Sequence, residues 1–236
     1  MSNNETTLIF KYNPTLKAQA LNDIEYYTKL MDDDPEQVNK KLYQLEIDYA
    51  KDLLLKIQDD GDIDQKLKLL ADKIKQECGK FYNMFKHSKN VLYRGVGDHA
   101  AAFESVSPIN RKPKDSSQVN SLIFDNKAEE LGIIARRSNS IFTTSDKNQA
   151  FGYGNVYVIF PKSSADFSWS ITYKDMVIHA DTNLMSMTLQ QFQDKYRLDQ
   201  TNLEAALVSF HEVLIHGRYI AIKNEMYKDM VKDGLL

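Results

Sequence analysis

The chain has 236 residues, enough for one large domain or a domain with an appendage, and its 30 lysines and arginines against 33 aspartates and glutamates leave a net charge of −3. No strong basic field points to nucleic acid or to an anionic membrane surface. The single cysteine, Cys78, excludes an intrachain disulfide and a cysteine metal cluster.

The opening MSNNETTLIF is too polar for a signal peptide, and no apolar run approaches the roughly 20 residues of a membrane span. The expected compartment is therefore the cytoplasm of the protein's own cell or of a host. A weak helix is expected from about Lys17 to Met31. At DDDPEQ, Asp34 caps a second helix, Pro35 takes its first position and Glu36 complements the dipole. Val38, Leu42, Leu45, Tyr49, Leu53 and Ile57 form its apolar face, and Asp59 to Gly61 break the run. Ile63, Leu67, Leu70, Ile74, Cys78, Phe81 and Phe85 form another stripe, so an antiparallel helical hairpin is expected. On that face Cys78 reads as an inert buried thiol.

From Val91 the period changes to short β-rich segments: VLYR, SIFTTS, NVYVIF, HEVLI and RYIAI. SVSPINRKPKDSSQVNS reads as loop, and Thr201 with Glu204 as the capping box of a short helix. The division expected is a helical N-terminal region, 1–88, followed by an α+β domain, 89–236.

Three of these segments can carry chemistry. Arg94 ends a strand-like run and precedes Gly95, where a guanidinium can meet a phosphate or carboxylate and the backbone can turn sharply. Thr143, Thr144 and Ser145 place three hydroxyls at a strand end; Asp146 caps the next short helix, whose Ala150 and Phe151 are expected to pack inward, and Tyr153 follows between two glycines. Glu212 stands at the entrance of the strand Val213–Ile215, where burial is costly for a carboxylate without a partner or a role. Each segment also has a plain structural reading: a strand-end ion pair, ordinary strand threonines and caps, or a carboxylate paired across a sheet. His211 and His216 fall on opposite faces of that strand, no third ligand stands at a suitable spacing, and no metal is expected.

In this order the three segments resemble the R-S-E class of mono-ADP-ribosyltransferases, closest to those of bacteria and bacteriophages. The matching parts are LYRG with Arg94, FTTS with Thr143 to Ser145, and HEVLI with Glu212, and the resemblance covers Val91 to the C-terminus. It implies a split, mostly antiparallel sheet whose cleft holds NAD as co-substrate. It implies that Arg94 grips the diphosphate, that Thr143 positions the glutamate and the nicotinamide ribose, and that Thr144 and Ser145 complete the cluster beside Gly95. Glu212 would accept the ribose 2′-hydroxyl and stabilise the charge that develops as nicotinamide leaves. Phe151 or Tyr153 would stack on the nicotinamide. Two departures stand out. Threonine replaces the first serine, and Phe210 stands on the acceptor side, two residues before Glu212, where the family often has Glu or Gln. Three readings follow: transfer of ADP-ribose to a macromolecule, a protein first and a nucleic acid left open; hydrolysis of NAD; or a non-catalytic interaction module on the same fold.

Overall fold

The computed structural model describes residues 7–10, 14–33, 44, 47, 48, 51, 63–97, 101–109, 111, 117–176 and 183–236. The chain divides into two compact units, Met1–Lys11 with Lys73–Asp229, and Tyr12–Asp72 with Met230–Leu236. Helix α1 (Pro14–Asp33) in the second unit covers the weak helix expected near its position. Of the helix expected from Asp34, Gln44, Ile47, Asp48 and Lys51 are described and are helical, while its stripe residues Val38, Leu42, Leu45, Tyr49, Leu53 and Ile57 and the break at Asp59 to Gly61 lie outside the described residues.

The later stripe is present, and Leu67, Leu70, Ile74, Cys78, Phe81 and Phe85 are all buried. It runs through two helices, α2 (Ile63–Glu77) and α3 (Gly79–Ser88), with the break at Cys78 ahead of the poor helix former Gly79. The Cys78 Sγ donates to the Phe160 carbonyl at 3.4 Å. Burial pushes this thiol up to about 12, so it stays protonated and unreactive.

In the first unit, nine strands among the described residues form one antiparallel sheet in the order β1-β3-β9-β5-β2-β4-β8-β6-β7. They are β1 (Thr7–Phe10), β2 (Leu92–Val96), β3 (Ala102–Val106), β4 (Ile141–Thr144), β5 (Asn155–Pro161), β6 (Asp166–Ser170), β7 (Leu198–Asp199), β8 (Glu212–His216) and β9 (Arg218–Lys223). The remaining helices are α4 (Gln118–Glu130), α5 (Lys147–Phe151), α6 (Leu189–Tyr196), α7 (Leu203–Ser209) and α8 (Asn224–Lys232). The architecture is α+β, and no helix among the described residues is long and apolar enough to cross a membrane.

The border expected between residues 88 and 89 is not where the chain divides. Thr7–Phe10 pairs with β3 at the sheet edge, so the N-terminus belongs with the strands. The end of α2 is clamped there as well. Lys73 lies 2.7 Å from Glu77 and 3.3 Å from Glu104, and Lys162 bridges the same two carboxylates. Arg218 also reaches Glu104 at 3.4 Å, and a network of three cations on two carboxylates holds this end of α2 to the strands more firmly than an isolated surface pair would.

A single registered pair, Tyr93 with Thr144, joins β2 to β4, whereas β2 pairs with β5 over five residues and β4 with β8 over four. The pairing is thinnest at this seam. Phe85 of α3 meets Phe160 on β5, and Phe81 of the same helix meets Phe167 on β6. Followed through the register, those two rings would stand on opposite faces of a flat sheet. One helix touches both, Phe81 and Phe85 lying one turn apart on α3.

Three local expectations are corrected. Phe151 is 73% exposed, and only Ala150 of α5 packs inward. Asn202, not Thr201, caps α7 by accepting from the Ala205 N–H at 3.0 Å, while Thr201 turns to Asp199. The segment read as loop through Ser121 already contains the first turn of α4, capped by Ser117.

Candidate functional site

Residues 94, 143–145 and 212 are far apart in sequence and come together on the adjacent strands β2, β4 and β8. Thr144 pairs with Tyr93 on one side and with Glu212 on the other. Two strand spacings separate Tyr93 from Glu212, roughly 10 Å. Alternation then decides which side chains share a face. Helix α3 covers the Tyr93 and Phe160 side of one half and the Thr143, Val213 and Phe167 side of the other. In the register Thr144, Glu212 and Phe142 share the face of Tyr93, and Arg94, one residue on, points to the other face with Tyr157.

Arg94 is half-buried on β2, and its Nη1 is buried with no hydrogen-bond partner among the described residues. Burial pulls its proton affinity below that of an ordinary guanidinium, and nearby Tyr219 offsets this in part. A buried guanidinium N–H without an acceptor is costly, and an incoming anion removes the cost. Ser145, just beyond β4, also has a buried Oγ without a partner. Thr143 is committed elsewhere: its Oγ1 donates to the Val213 carbonyl at 2.7 Å on the α3 side. The hydroxyl on Glu212's rung is Thr144, whose Oγ1 accepts from the Asp146 N–H at 3.0 Å.

Gly95 has a packing role. A Cβ there would lie 2.0 Å from the Ala150 carbonyl oxygen and 2.9 Å from the Tyr153 Cβ, so β2 can approach the α5 turn only without a side chain. Tyr153 thus lies on the Gly95 side of β2, away from Arg94, and both Tyr153 and Phe151 are exposed. The aromatic on Glu212's own side is Phe142, with the Arg111 guanidinium 3.8 Å and the Arg137 guanidinium 4.8 Å from its ring centre.

Glu212 opens β8, its N–H donating to the Lys174 carbonyl at 2.7 Å. The Arg137 Nη1 donates to its Oε1 at 3.3 Å, and both side chains are buried. Burial pushes the Glu212 carboxyl up to about 7; Arg137, Arg111 and the Met176 N–H oppose that rise, and Asp175 adds to it. A pocket of about 350 Å³ adjoins this cluster, lined by Arg111, Arg136, Arg137, Ser121, Asp125 and Phe142.

Phe210 does not sit on the strand. It ends α7 with φ 58, in the left-handed region, so the side-by-side relation to Glu212 expected from a strand does not hold. The ring is 47% exposed. The histidines serve the framework: the His211 Nδ1 meets the Ser170 carbonyl at 2.8 Å, and the His216 Nδ1 meets the Asn139 carbonyl at 2.8 Å.

Arg137, Phe142 and Asp175 carry no motif of their own, and only the register and the loop before β4 bring them to Glu212. Comparison of the chain with family models, with curated proteins and with solved structures finds no match.

Proposed function

We propose that this chain is an NAD-dependent mono-ADP-ribosyltransferase. The observation that carries the reading is that Arg94, Thr143 to Ser145 and Glu212 stand along three adjacent strands, β2, β4 and β8, with a buried Arg94 N–H that has no partner among the described residues and a buried Glu212 carboxylate. In the reaction, the bond between nicotinamide and ribose C1′ breaks, its electron pair leaves with nicotinamide, and the acceptor bonds to C1′ and gives up its proton. The acceptor in this reading is a macromolecule, a protein first.

Each residue has a physical task. Arg94 offers a buried N–H without an acceptor among the described residues, which suits the diphosphate. Ser145 offers a second polar group without a partner. Glu212, ionised, accepts the ribose 2′-hydroxyl and faces the positive charge that grows at C1′; in a dry strand end such an anion is worth several kcal/mol. Thr143 and Thr144 set the rung on which Glu212 stands, Thr143 through its bond to the Val213 carbonyl.

Hydrolysis of NAD is the second reading, favoured by Phe210, an exposed ring with no carboxylate or amide to offer an acceptor. Nicotinamide released without labelled macromolecule selects it.

Arg94→Lys tests the binding half of this account. It keeps the charge and loses the planar fork, so NAD affinity measured by calorimetry is expected to fall at least about tenfold, or 1.4 kcal/mol. Unchanged affinity removes Arg94 from the site.

A further inference from the structure

The arginine beside Glu212 is built into place. Arg137 lies in the loop before β4, and the Asp125 carboxylate accepts both its N–H at 3.0 Å and that of Ser138 at 2.8 Å. Arg136 N–H is held at 2.7 Å by the Asn139 side chain, and Arg111 N–H binds the Ser138 carbonyl at 2.7 Å. The loop thus has its backbone fixed at four points. Its product is a guanidinium, only 7% exposed, packed over Phe142 with Nη1 on Glu212 and with Nε lacking a partner among the described residues.

A buried ion pair contributes little stability beyond an apolar pair of the same size, so stability alone is a weak reason for this arrangement. Position is a better one. Among the described residues, the charged groups facing Glu212 are few. Arg137 and Arg111 approach from the loop side, and Asp175 with the Met176 N–H from the segment before β7. The Lys174 ammonium is turned away to Asp146 at 3.0 Å, and His211 is bound to the Ser170 carbonyl. The Arg137 Nη1 donates directly to the carboxylate.

We propose that Arg137 is a positioning residue for Glu212, holding its carboxylate ionised and fixed in rotamer at the mouth of β8 so that the second oxygen stays available to a ribose hydroxyl. This rests on the reading of Glu212 as the reacting carboxylate. Burial works against ionisation at this strand end, and Arg137 heads the forces that oppose it.

The test titrates Glu212 directly. Protein labelled with 13C at the glutamate side-chain carboxyls is followed by NMR across pH 5–9, the Glu212 signal being the one lost in Glu212→Gln. In Arg137→Gln the Glu212 midpoint is expected to rise by at least about one pH unit, a tenfold change in proton affinity. Arg137→Lys, which keeps the charge and a donor, is expected to restore most of it, and it serves also if the glutamine variant does not fold. An unmoved midpoint in folded Arg137→Gln, or a lysine midpoint that rises as far as the glutamine variant's, or by a full unit where the glutamine variant does not fold, overturns the proposal. The acid limb of kcat/KM for nicotinamide release should move with the midpoint. A midpoint that moves in a protein releasing no nicotinamide sinks the transferase reading while leaving the electrostatic role of Arg137 intact.

Discussion

Glu212→Gln is expected to lower nicotinamide release from NAD by about 10²–10³-fold while the fold is kept. Glutamine preserves the shape and an oxygen that can accept from the Arg137 Nη1, now 3.3 Å from the carboxylate, so the buried guanidinium is not stranded. It removes the negative charge, and the charge is what the transition state needs. The same change alters how stability depends on pH. A carboxyl whose folded value is raised to about 7 binds its proton more tightly when folded. Its contribution is therefore fully present below the ordinary carboxylate value of 4.5 and is lost as pH rises through about 7. Between those limits the wild type should lose roughly 3 kcal/mol relative to Glu212→Gln, read by denaturant unfolding. Activity runs the other way, because only the ionised form works, so kcat/KM should climb with pH through about 7 and then level. A flat activity profile from pH 5 to 9, or full activity in Glu212→Gln, removes Glu212 from the chemistry.

The largest stability effect is expected at Gly95→Ala. The added methyl carbon would stand 2.0 Å from the Ala150 carbonyl oxygen, and neither that backbone atom nor β2 can give way cheaply. Gly154 makes the matching approach from the other side, where a Cβ would lie 2.5 Å from the Val96 carbonyl oxygen. β2 and the α5 turn are thus locked at two backbone contacts that tolerate no side chain. The cost should reach at least about 3 kcal/mol, the upper range for overpacking a fixed site. Thermal unfolding is the measurement, and a variant as stable as wild type would show that the turn is not held against β2. Gly95 in this account acts on the site only through the placement of Arg94.

Much of the fold was legible because its signals are local. The stripe from Leu67 to Phe85 shows because helical period and burial coincide, and all six of its expected core residues from Leu67 onward are buried. β2, β4, β5, β8 and β9 show because their residues are β-branched or aromatic. α4 was hidden for a physical reason: its buried face includes Ser121 and Asp125 while Val119 and Leu122 are exposed, so its polarity is reversed in places. Asp125 is inside because it clamps the 137–138 backbone, a demand that arises only in three dimensions. β3 was missed because Glu104 interrupts its apolar run, and that carboxylate is absorbed by Lys73 and Lys162 from distant segments. The capping box of α6, Thr188 with Gln191, was available in the sequence and passed over.

At the candidate site, residue types were readable and register was not. The sequence places hydroxyls near Glu212 but cannot say that Thr144, rather than Thr143, shares its rung, because one step of register moves every side chain to the other face. It cannot show that Phe210 leaves the strand into a left-handed turn, a conformation that costs a bulky residue about 1–2 kcal/mol. Arg137 and Asp175 gain meaning only once the loops before β4 and β7 are folded against β8.

The most direct test incubates the purified protein with cell extract and NAD carrying one label in the adenylate and, in a parallel sample, one in the nicotinamide. The account predicts that the adenylate label becomes bound to macromolecules, that the nicotinamide label is released free in step with it, and that Glu212→Gln does neither. Neither release nor transfer above the level of Glu212→Gln would contradict it.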